Sequence, residues 1–360
     1  MDFISESYLK MLAESEFQRL VDYLKYDTYY SNKQLINLPE KYKEELDKLG
    51  IRRNYMSPVV NACVSKLRVK GIRASDDVTT KRLEEVWNYN RMDALMYKIH
   101  RIALKKGDCY VLVWPVNDVP TIKVFSPEFV TPVPDPEDED KILFYKKEWN
   151  VKDNETIYVR KDVFYPDRIE RYVARAGEDF SPYEEDGLPP VFENKYNVIP
   201  IIHFKNQIDE GLFGISELRD AIPIQDDINR LIMDTLLDAD YLGFGQISII
   251  GATLADIQAN NPNGLDRNPG SGWIFPNENT RVEKLTGEAL SSFIEAIDEQ
   301  INELATITRT PLFYLKPTAQ PIAGVSLDKL QSPFLDKVNE AQTVFGNCYE
   351  DMNKLILLQL

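Results

Sequence analysis

The residues best suited to chemistry in this sequence are two sets of carboxylates on predicted helices. Glu295, Glu299 and Glu303 follow one another at four-residue steps, which places them on one face of a helix. A second acidic face is made of Asp227, Asp234 and Asp238. Like charges at helical spacing destabilise an isolated helix by roughly 0.2–0.5 kcal/mol per pair. Two interpretations of these faces stay open: a solvated surface, and a face that borders water in an assembly of repeated subunits.

Metal chemistry is a separate hypothesis, because the chain contains many carboxylates. Carboxylates alone can serve a two-metal nuclease, so a metal-dependent nuclease is one hypothesis. The acidic segment 134–140 is a candidate for Ca²⁺ or Mg²⁺, but it lacks the ligand spacing of an EF-hand and contains two prolines. We interpret it, and the similar segment 184–187, as solvated turns.

Other catalytic signals are missing from the sequence. His100 and His203 have no partner at metal-ligand spacing, and the apolar run around His203 is typical of a sheet residue. There is no Walker A loop, no Gly-x-Ser-x-Gly elbow and no dinucleotide fingerprint. We therefore predict a protein that is not an enzyme, with no catalytic residue, cofactor or metal site.

The two acidic faces belong to helices that bracket a turn-rich segment. The first helix is predicted over 214–245, with Ser216 as its N-cap and a kink or restart at Pro223. The second is predicted over 290–310. Its apolar stripe consists of Phe293, Ile297, Ile301 and Leu304.

Between these helices, residues 246–289 are rich in Asn, Gly and Pro. Short strands are predicted at 247–250 and 273–275, with a short helix at 254–258. These strands have no evident sheet of their own, which favours pairing with a neighbouring chain.

The rest of the sequence indicates an α+β fold, because helical periodicity gives way to strand periodicity after residue 106. Predicted helices cover 5–30, 58–69, 81–90 and 92–106, and residues 41–49 form a short charged helix or a linker. Predicted strands cover 109–114, 121–125, 141–149, 156–160, 168–175 and 199–204. Residues 311–330 show little pattern, and 331–360 form a long helix with a continuous apolar seam.

Composition limits the kinds of partner. The 360 residues are 43% hydrophobic, which is enough for a sizeable core, and the net charge is −16. Proteins that grip DNA by its phosphates are normally basic, so this chain either has no role with DNA or meets DNA without holding it. Cys63, Cys109 and Cys348 are expected to be free core thiols of a reducing compartment. We expect no signal peptide and no membrane span.

Several short runs resemble the portal proteins of tailed bacteriophages of the siphovirus branch. The runs are HFKN at 203–206, GISEL at 214–218 and QDDINR at 225–230, with RNY at 53–55, VVN at 59–61, KGI at 70–72 and KGDCYVLVW at 106–114 before them, and TRTPL at 308–312 and PIAGVSL at 321–327 after them. Each run is loose, but their order and spacing make the set specific. The resemblance extends from about residue 50 to the C-terminus.

The resemblance implies a division of the chain into portal regions. These are a wing of helices and antiparallel sheet (1–213), a first stem helix (214–245), an α/β clip (246–289), a second stem helix (290–310), a tunnel loop (311–330) and a long wing helix (331–360). Portals of this kind usually continue into a helical crown, so we expect a crown that is missing or truncated.

The resemblance also implies site residues and partners. The two acidic faces would line a tunnel, and Lys316, Thr318 and Gln320 of the tunnel loop would meet DNA. The clip would contact neighbouring subunits and the terminase through Ile247, Ile249, Trp273 and Phe275. Expected partners are further copies in a closed ring of twelve, double-stranded DNA, terminase, the head–tail connector, and the major capsid and scaffold proteins, with no membrane.

The hypothesis that follows is a portal subunit at one vertex of the virion capsid, assembled in the host cytoplasm, through which DNA is packaged and ejected. A non-portal scaffold or adaptor of the virion is the alternative without chemistry. The metal-dependent nuclease remains the less favoured enzyme alternative.

Overall fold

The structure is a computed structural model, and it describes most of the chain. The described residues are 6–34, 52–184, 187, 189–207, 211–244, 246–261, 265, 273–275, 277–285, 290–316 and 324–360. They form two compact units: a larger one before residue 226 and after residue 301, and a smaller one within 226–301. The fold class is α+β, as predicted. The predicted segment 41–49 lies outside the described residues.

Four helices open the larger unit: α1 (Glu6–Tyr30), α2 (Met56–Val64), α3 (Asp77–Tyr89) and α4 (Met92–Lys106). Side chains that precede two of them fix where they start. Asp76 accepts a hydrogen bond from the Thr79 amide at the start of α3, and Asn54 accepts one from the Met56 amide at the start of α2. These caps satisfy backbone donors that have no partner inside a helix.

A three-stranded sheet lies at the centre of this unit. It contains β1 (Asp108–Val116), β2 (Val119–Phe125) and β9 (Ile201–Lys205) in the order β2-β1-β9. Strand β1 is almost fully buried over its first six residues, as expected for the middle strand. Two of the runs that carry the resemblance, 106–114 and 203–206, lie mostly in β1 and β9.

A second antiparallel sheet is built from β3 (Val130–Asp135), β4 (Asp138–Asp153), β5 (Thr156–Phe164), β6 (Arg168–Arg175), β7 (Ser181–Pro182) and β8 (Val191–Glu193). Strand β3 was not predicted, because Pro132 and Pro134 argue against a strand. Proline is tolerated at the edge of a sheet, and β3 is an edge strand. The turn between β3 and β4 consists of Pro136 and Glu137, and the rest of the acidic segment 134–140 belongs to the two strands. Lys141 of β4 donates to Asp135 of β3 at 2.8 Å.

The first acidic helix, α5 (Ala221–Phe244), begins seven residues later than predicted. Ser216 is not its N-cap, because it lies five residues before the first helical residue. There its hydroxyl donates to the Lys105 carbonyl at 2.5 Å and accepts from the Leu218 amide at 3.0 Å. Pro223 lies in the first turn of α5, where the missing amide hydrogen costs no helical hydrogen bond. The sequence predicted a kink or a restart of the helix at this proline, and in the structure α5 begins close to it.

The segment before α5 crosses the end of α4 at very short range. A Cβ added to Gly214 would lie 2.7 Å from the Asn206 carbonyl oxygen and would also collide with that of Gly107. All these atoms belong to the backbone and cannot move aside. Gly107 also has a φ of 93°, which disfavours other residues.

The C-terminal part of the chain is more helical than predicted. Within the region 311–330, for which little pattern was predicted, the structure has α8 (Leu312–Leu315) and the start of α9 (Gly324–Gln359), while residues 317–323 lie outside the described residues. The long helix thus begins seven residues before the predicted 331. Its first turns contain Leu, Lys and Gln, which favour helix, while Pro317 and Pro321 lie upstream. Pro333 is accommodated inside α9.

The smaller unit contains a two-stranded sheet, β10 (Gln246–Ile250) with β11 (Arg281–Leu285), and the short helix α6 (Leu254–Asn260). The strand and helix predictions at 247–250 and 254–258 are therefore confirmed. The strand predicted at 273–275 is wrong, because β11 takes the place of partner to β10. The expectation that β10 lacks a sheet within its own chain is corrected by the same pairing.

Candidate functional site

The second acidic helix, α7 (Leu290–Ile307), separates an apolar face from an acidic one. Ile301 and Leu304 are buried, and Phe293 and Ile297 are half-buried. The acidic face consists of Glu295, Glu299 and Glu303, all exposed. Within the described part of the chain these three side chains have no ion pair and no hydrogen bond. They present three unneutralised charges along one side of the helix.

The aspartate face of α5 differs from the glutamate face of α7. Asp227 accepts a hydrogen bond from Arg230 at 2.8 Å, one helical turn away, so its charge is partly neutralised. Asp234 and Asp238 are half-buried, and neither has an ion pair among the described residues. Of the two predicted acidic faces, that of α7 is the stronger source of negative potential.

The C-terminal end of α7 is anchored by a buried ion pair that sequence reasoning missed. Lys337 of α9 donates to Glu217 at 2.8 Å and to the Thr308 carbonyl at 2.6 Å. Both charged side chains are almost completely buried. An ammonium at this position also complements the negative end of the helix dipole. The helix ends at Ile307, and the turn that follows it contains Arg309, whose φ is 50°.

Glu217 is held in place from its other side. Its second carboxylate oxygen accepts hydrogen bonds from Gln207 at 3.0 Å and from Asn206 at 3.4 Å. Burial of a carboxylate is costly unless it is paired and hydrogen-bonded, and here both conditions hold. The pair therefore joins the segment before α5, the end of α7 and α9.

The start of α5 is fixed by Gln225, which is fully buried. Its side-chain oxygen accepts from the Tyr55 amide at 2.8 Å, and its nitrogen donates to the Arg53 carbonyl at 2.9 Å. The RNY and QDDINR runs, far apart in sequence, thus meet through one amide side chain. Several of the runs that carry the family resemblance therefore hold the fold together and place the acidic helices.

The predicted tunnel-loop residues are only partly described. Lys316 is half-buried directly after α8 and has an interaction partner. Thr318 and Gln320 lie outside the described residues. The role of these three residues stays a prediction.

The predicted clip contacts are distributed over different local structures. Ile249 is half-buried in β10, and the side chain of Ile247 lies outside the described residues. Trp273 and Phe275 are half-buried and belong to no strand. The role of these four residues as clip contacts therefore stays a prediction.

The histidines have structural partners. His203 of β9 contacts the buried Asp108 at 2.7 Å through Nε2, as expected of a satisfied sheet residue. His100 contacts the Tyr349 hydroxyl at 2.9 Å, and burial lowers the pKa of its imidazole to about 4. A neutral imidazole is therefore the dominant form of His100 at pH 7.

The nuclease hypothesis finds no support in the part of the chain that the structure describes. There, no three His, Cys, Asp or Glu side chains are grouped so that they could hold a metal ion. Cys63, Cys109 and Cys348 carry free thiols. Among the described helices, we find none with the length and apolar character needed to span a bilayer.

Comparison with known proteins gives a consistent answer. Residues 9–359 match the family of phage portal proteins described as SPP1 Gp6-like. The portal protein of Mycobacterium phage D29 is 22% identical over 341 residues, which are 89% of this chain and 67% of that protein. For the portal protein of Mycobacterium phage L5, the identity is 22% over 344 residues, covering 89% and 66%. The chain thus spans about two thirds of the length of these curated relatives.

A solved structure supports the same fold. A chain from the neck of an empty gene transfer agent particle, computed with C6 symmetry, superposes with a TM-score of 0.51 at 12% identity. The superposition covers 85% of this chain and 80% of the other. At such low identity the likeness concerns the fold alone. Since the family match extends over nearly the whole sequence, this chain belongs to the SPP1 Gp6-like family of phage portal proteins.

Proposed function

We propose that this chain is the subunit of a closed ring at one vertex of a phage capsid, and that double-stranded DNA passes through the ring during packaging and ejection. The observation that carries this proposal is the family match over residues 9–359. A ring of twelve subunits is part of the proposal. Cyclic symmetry repeats every surface feature of the subunit around the axis, so one charged side chain becomes a ring of charges.

The exposed face of α7 supports an assignment to the tunnel wall. Glu295, Glu299 and Glu303 point away from the buried apolar stripe and are unneutralised among the described residues. Duplex DNA carries one negative charge per roughly 1.7 Å of its axis. A wall of the same sign prevents adhesion and keeps the duplex mobile. Asp234 and Asp238 of α5 would add to this wall.

The remaining roles extend the proposal to partners. Residues 246–289 would form the clip that contacts neighbouring subunits, terminase and the head–tail connector, with Ile247, Ile249, Trp273 and Phe275 as candidate contacts. Lys316, Thr318 and Gln320 would contact the phosphates of DNA. Major capsid and scaffold proteins would surround the ring in the virion, after assembly in the host cytoplasm. ATP chemistry would come from the terminase and not from this chain.

Electron microscopy of the purified chain tests the proposal directly. We expect closed rings with a central hole wide enough for duplex DNA, and a mass in solution that is a fixed multiple of the 41.6 kDa subunit. A chain that stays monomeric at high concentration, or forms open filaments, would contradict the ring. Cleavage of DNA in Mg²⁺ would contradict the assignment of all chemistry to another protein.

A further inference from the structure

A cavity of about 550 Å³ opens in the larger unit between residues 67–73, helix α3 and helix α9. Its walls are aromatic: Trp87 and Tyr349 have ring centroids 5.7 Å apart, and His100 stacks on Phe345 at 5.3 Å. Two polar groups of these rings form hydrogen bonds within the subunit. The Trp87 indole donates to Asn353 at 2.8 Å, and Tyr349 pairs with His100. The lining of the cavity is mixed, with somewhat more apolar than polar surface.

The entrance of the cavity is positively charged. Arg68, Lys70 and Arg73 line it within six residues, and all three are exposed. None of them has an ion pair or hydrogen bond within the described ranges. Glu350 is an acidic residue at the same cavity. An excess of unpaired cations is unusual on a chain whose net charge is −16, and it favours an acidic partner.

Two glycines leave the cavity wall open. A Cβ added to Gly71 or Gly346 would meet no other heavy atom within 4 Å. Gly346 lies inside α9, where glycine is less favourable than alanine, and neither its backbone conformation nor its neighbours require glycine. Glycine permits the close approach of another backbone. The wall thus has room for a polypeptide segment from outside the subunit.

We propose that this cavity receives an acidic segment of a neighbouring copy of the chain, with an apolar side chain against the aromatic wall and carboxylates against Arg68, Lys70 and Arg73. The inference rests on the proposed ring, since a cyclic assembly needs two different complementary surfaces on each subunit. A second copy is the partner favoured by charge, because its 58 acidic residues outnumber its 42 basic ones.

Nucleic acid is the competing ligand, since aromatic surfaces and cations also bind single strands. The negative chain and Glu350 at the cavity repel a strand with a phosphate at every nucleotide more strongly than a peptide that carries only a few carboxylates. A peptide can carry both the acidic and the apolar group that the cavity fits. The test therefore measures assembly and nucleic-acid binding in the same samples.

Two independent pairs of variants test the inference. The first pair compares Arg68→Glu/Lys70→Glu/Arg73→Glu with Lys123→Glu/Lys152→Glu/Arg175→Glu, three exposed cations elsewhere in the larger unit. Both triples add the same negative charge. The second pair compares Gly346→Phe, which fills the cavity, with Gly346→Ala, which adds one methyl group. Circular dichroism checks the fold, and mass photometry follows ring formation against concentration.

We expect the cavity triple and Gly346→Phe to need roughly tenfold more subunit, or more, for half-assembly, while both control variants assemble like the wild type. Wild-type assembly by both cavity variants would overturn the inference and leave the ring standing. Loss of native circular dichroism in both would also overturn it, because these residues would then serve the subunit's own fold. Reduced binding of single-stranded oligonucleotides with unchanged rings would assign the cavity to nucleic acid. A wild-type chain without rings would refute the proposed function itself.

Discussion

Glu217 and Glu299 are the same residue type in opposite settings. Glu217 is buried, pairs with Lys337 at 2.8 Å and accepts hydrogen bonds from two amide side chains. Glu299 is exposed, lies between two further glutamates on α7, and has no ion pair among the described residues. The Glu217 carboxylate joins segments of the fold, whereas the Glu299 carboxylate adds to the negative electrostatic potential at the surface. The difference shows that the environment, not the residue type, separates structural acids from acids that act on a partner.

The largest expected effect tests the structural half of this comparison. Lys337→Met would leave Glu217 buried without its counter-charge, and such a change costs about 3–5 kcal/mol of unfolding free energy. Glu299→Gln removes an exposed charge and should change stability by less than about 0.5 kcal/mol. Urea unfolding followed by circular dichroism measures both variants.

A double variant sharpens the result. Glu217→Gln/Lys337→Met removes both charges and should recover much of the loss, because no unpaired charge remains in the interior. If Lys337→Met proves as mild as Glu299→Gln, the two glutamates do not differ in the way the structure indicates.

His100 is a second buried titratable group, and its contribution to stability depends on pH. Burial against Phe345 and Tyr349 lowers the pKa of His100 to about 4, whereas an unfolded chain protonates its imidazole near pH 6.5. The folded pKa lies below the unfolded one, so the unfolded state binds the proton first as pH falls. Stability from this group is complete above about pH 6.5 and decreases toward pH 4, by about 3 kcal/mol in all.

The measurement compares the wild type with His100→Gln at several values between pH 7 and pH 4. Other titrating groups are shared by both proteins and cancel in the difference. We expect the stability advantage of the wild type to shrink steadily over this range. Parallel profiles for the two proteins would show that His100 does not change its protonation preference on folding.

Much of the fold could be predicted from the sequence, because local signals were strong there. Helix α4 was predicted at its observed bounds, since Gly107 stops a clear apolar periodicity. Failures arose where tertiary context decides. Strand β3 contains prolines that only an edge position tolerates, and Ser216 binds a carbonyl of Lys105 instead of capping α5.

Of the candidate site, only the exposed glutamates could be predicted from the sequence. The four-residue spacing of the glutamates on α7 is visible in the sequence, whereas Glu217 and Lys337 are 120 residues apart with nothing local to connect them. The same holds for Gln225 and its partners Arg53 and Tyr55. Long-range pairing of single polar residues leaves no periodic trace in one sequence.

Reversing the charges of the exposed glutamates on α7 tests whether these residues act on a partner. In Glu295→Lys/Glu299→Lys/Glu303→Lys the rings should bind duplex DNA at least roughly tenfold more tightly, or about 1.4 kcal/mol, with an affinity that falls steeply with salt. The matched control is Glu155→Lys/Glu178→Lys/Asp179→Lys, which reverses three exposed charges in the larger unit. Its effect should be smaller, because these residues lie outside the proposed tunnel. Filter binding at several salt concentrations measures all three proteins.

A different outcome would reassign the glutamate face. If the triple lysine variant fails to form rings, the glutamates pair with basic residues of the adjacent subunit. The tunnel assignment would then be wrong, and the portal family of the chain would be unaffected. A triple glutamine variant separates loss of negative charge from gain of positive charge.

The smallest expected effect concerns glycine, a residue type that again occurs in two settings. At Gly214 a Cβ would collide with backbone atoms, whereas at Gly346 it would meet open space. Alanine restricts the unfolded chain and suits a helix interior, so Gly346→Ala should stabilise the subunit by about 0.4–1 kcal/mol. Thermal unfolding should show a modestly raised Tm with unchanged circular dichroism. A lowered Tm would mean that the wall of the cavity at Gly346 is closed in solution, and the receiving surface inferred there would lose its structural basis.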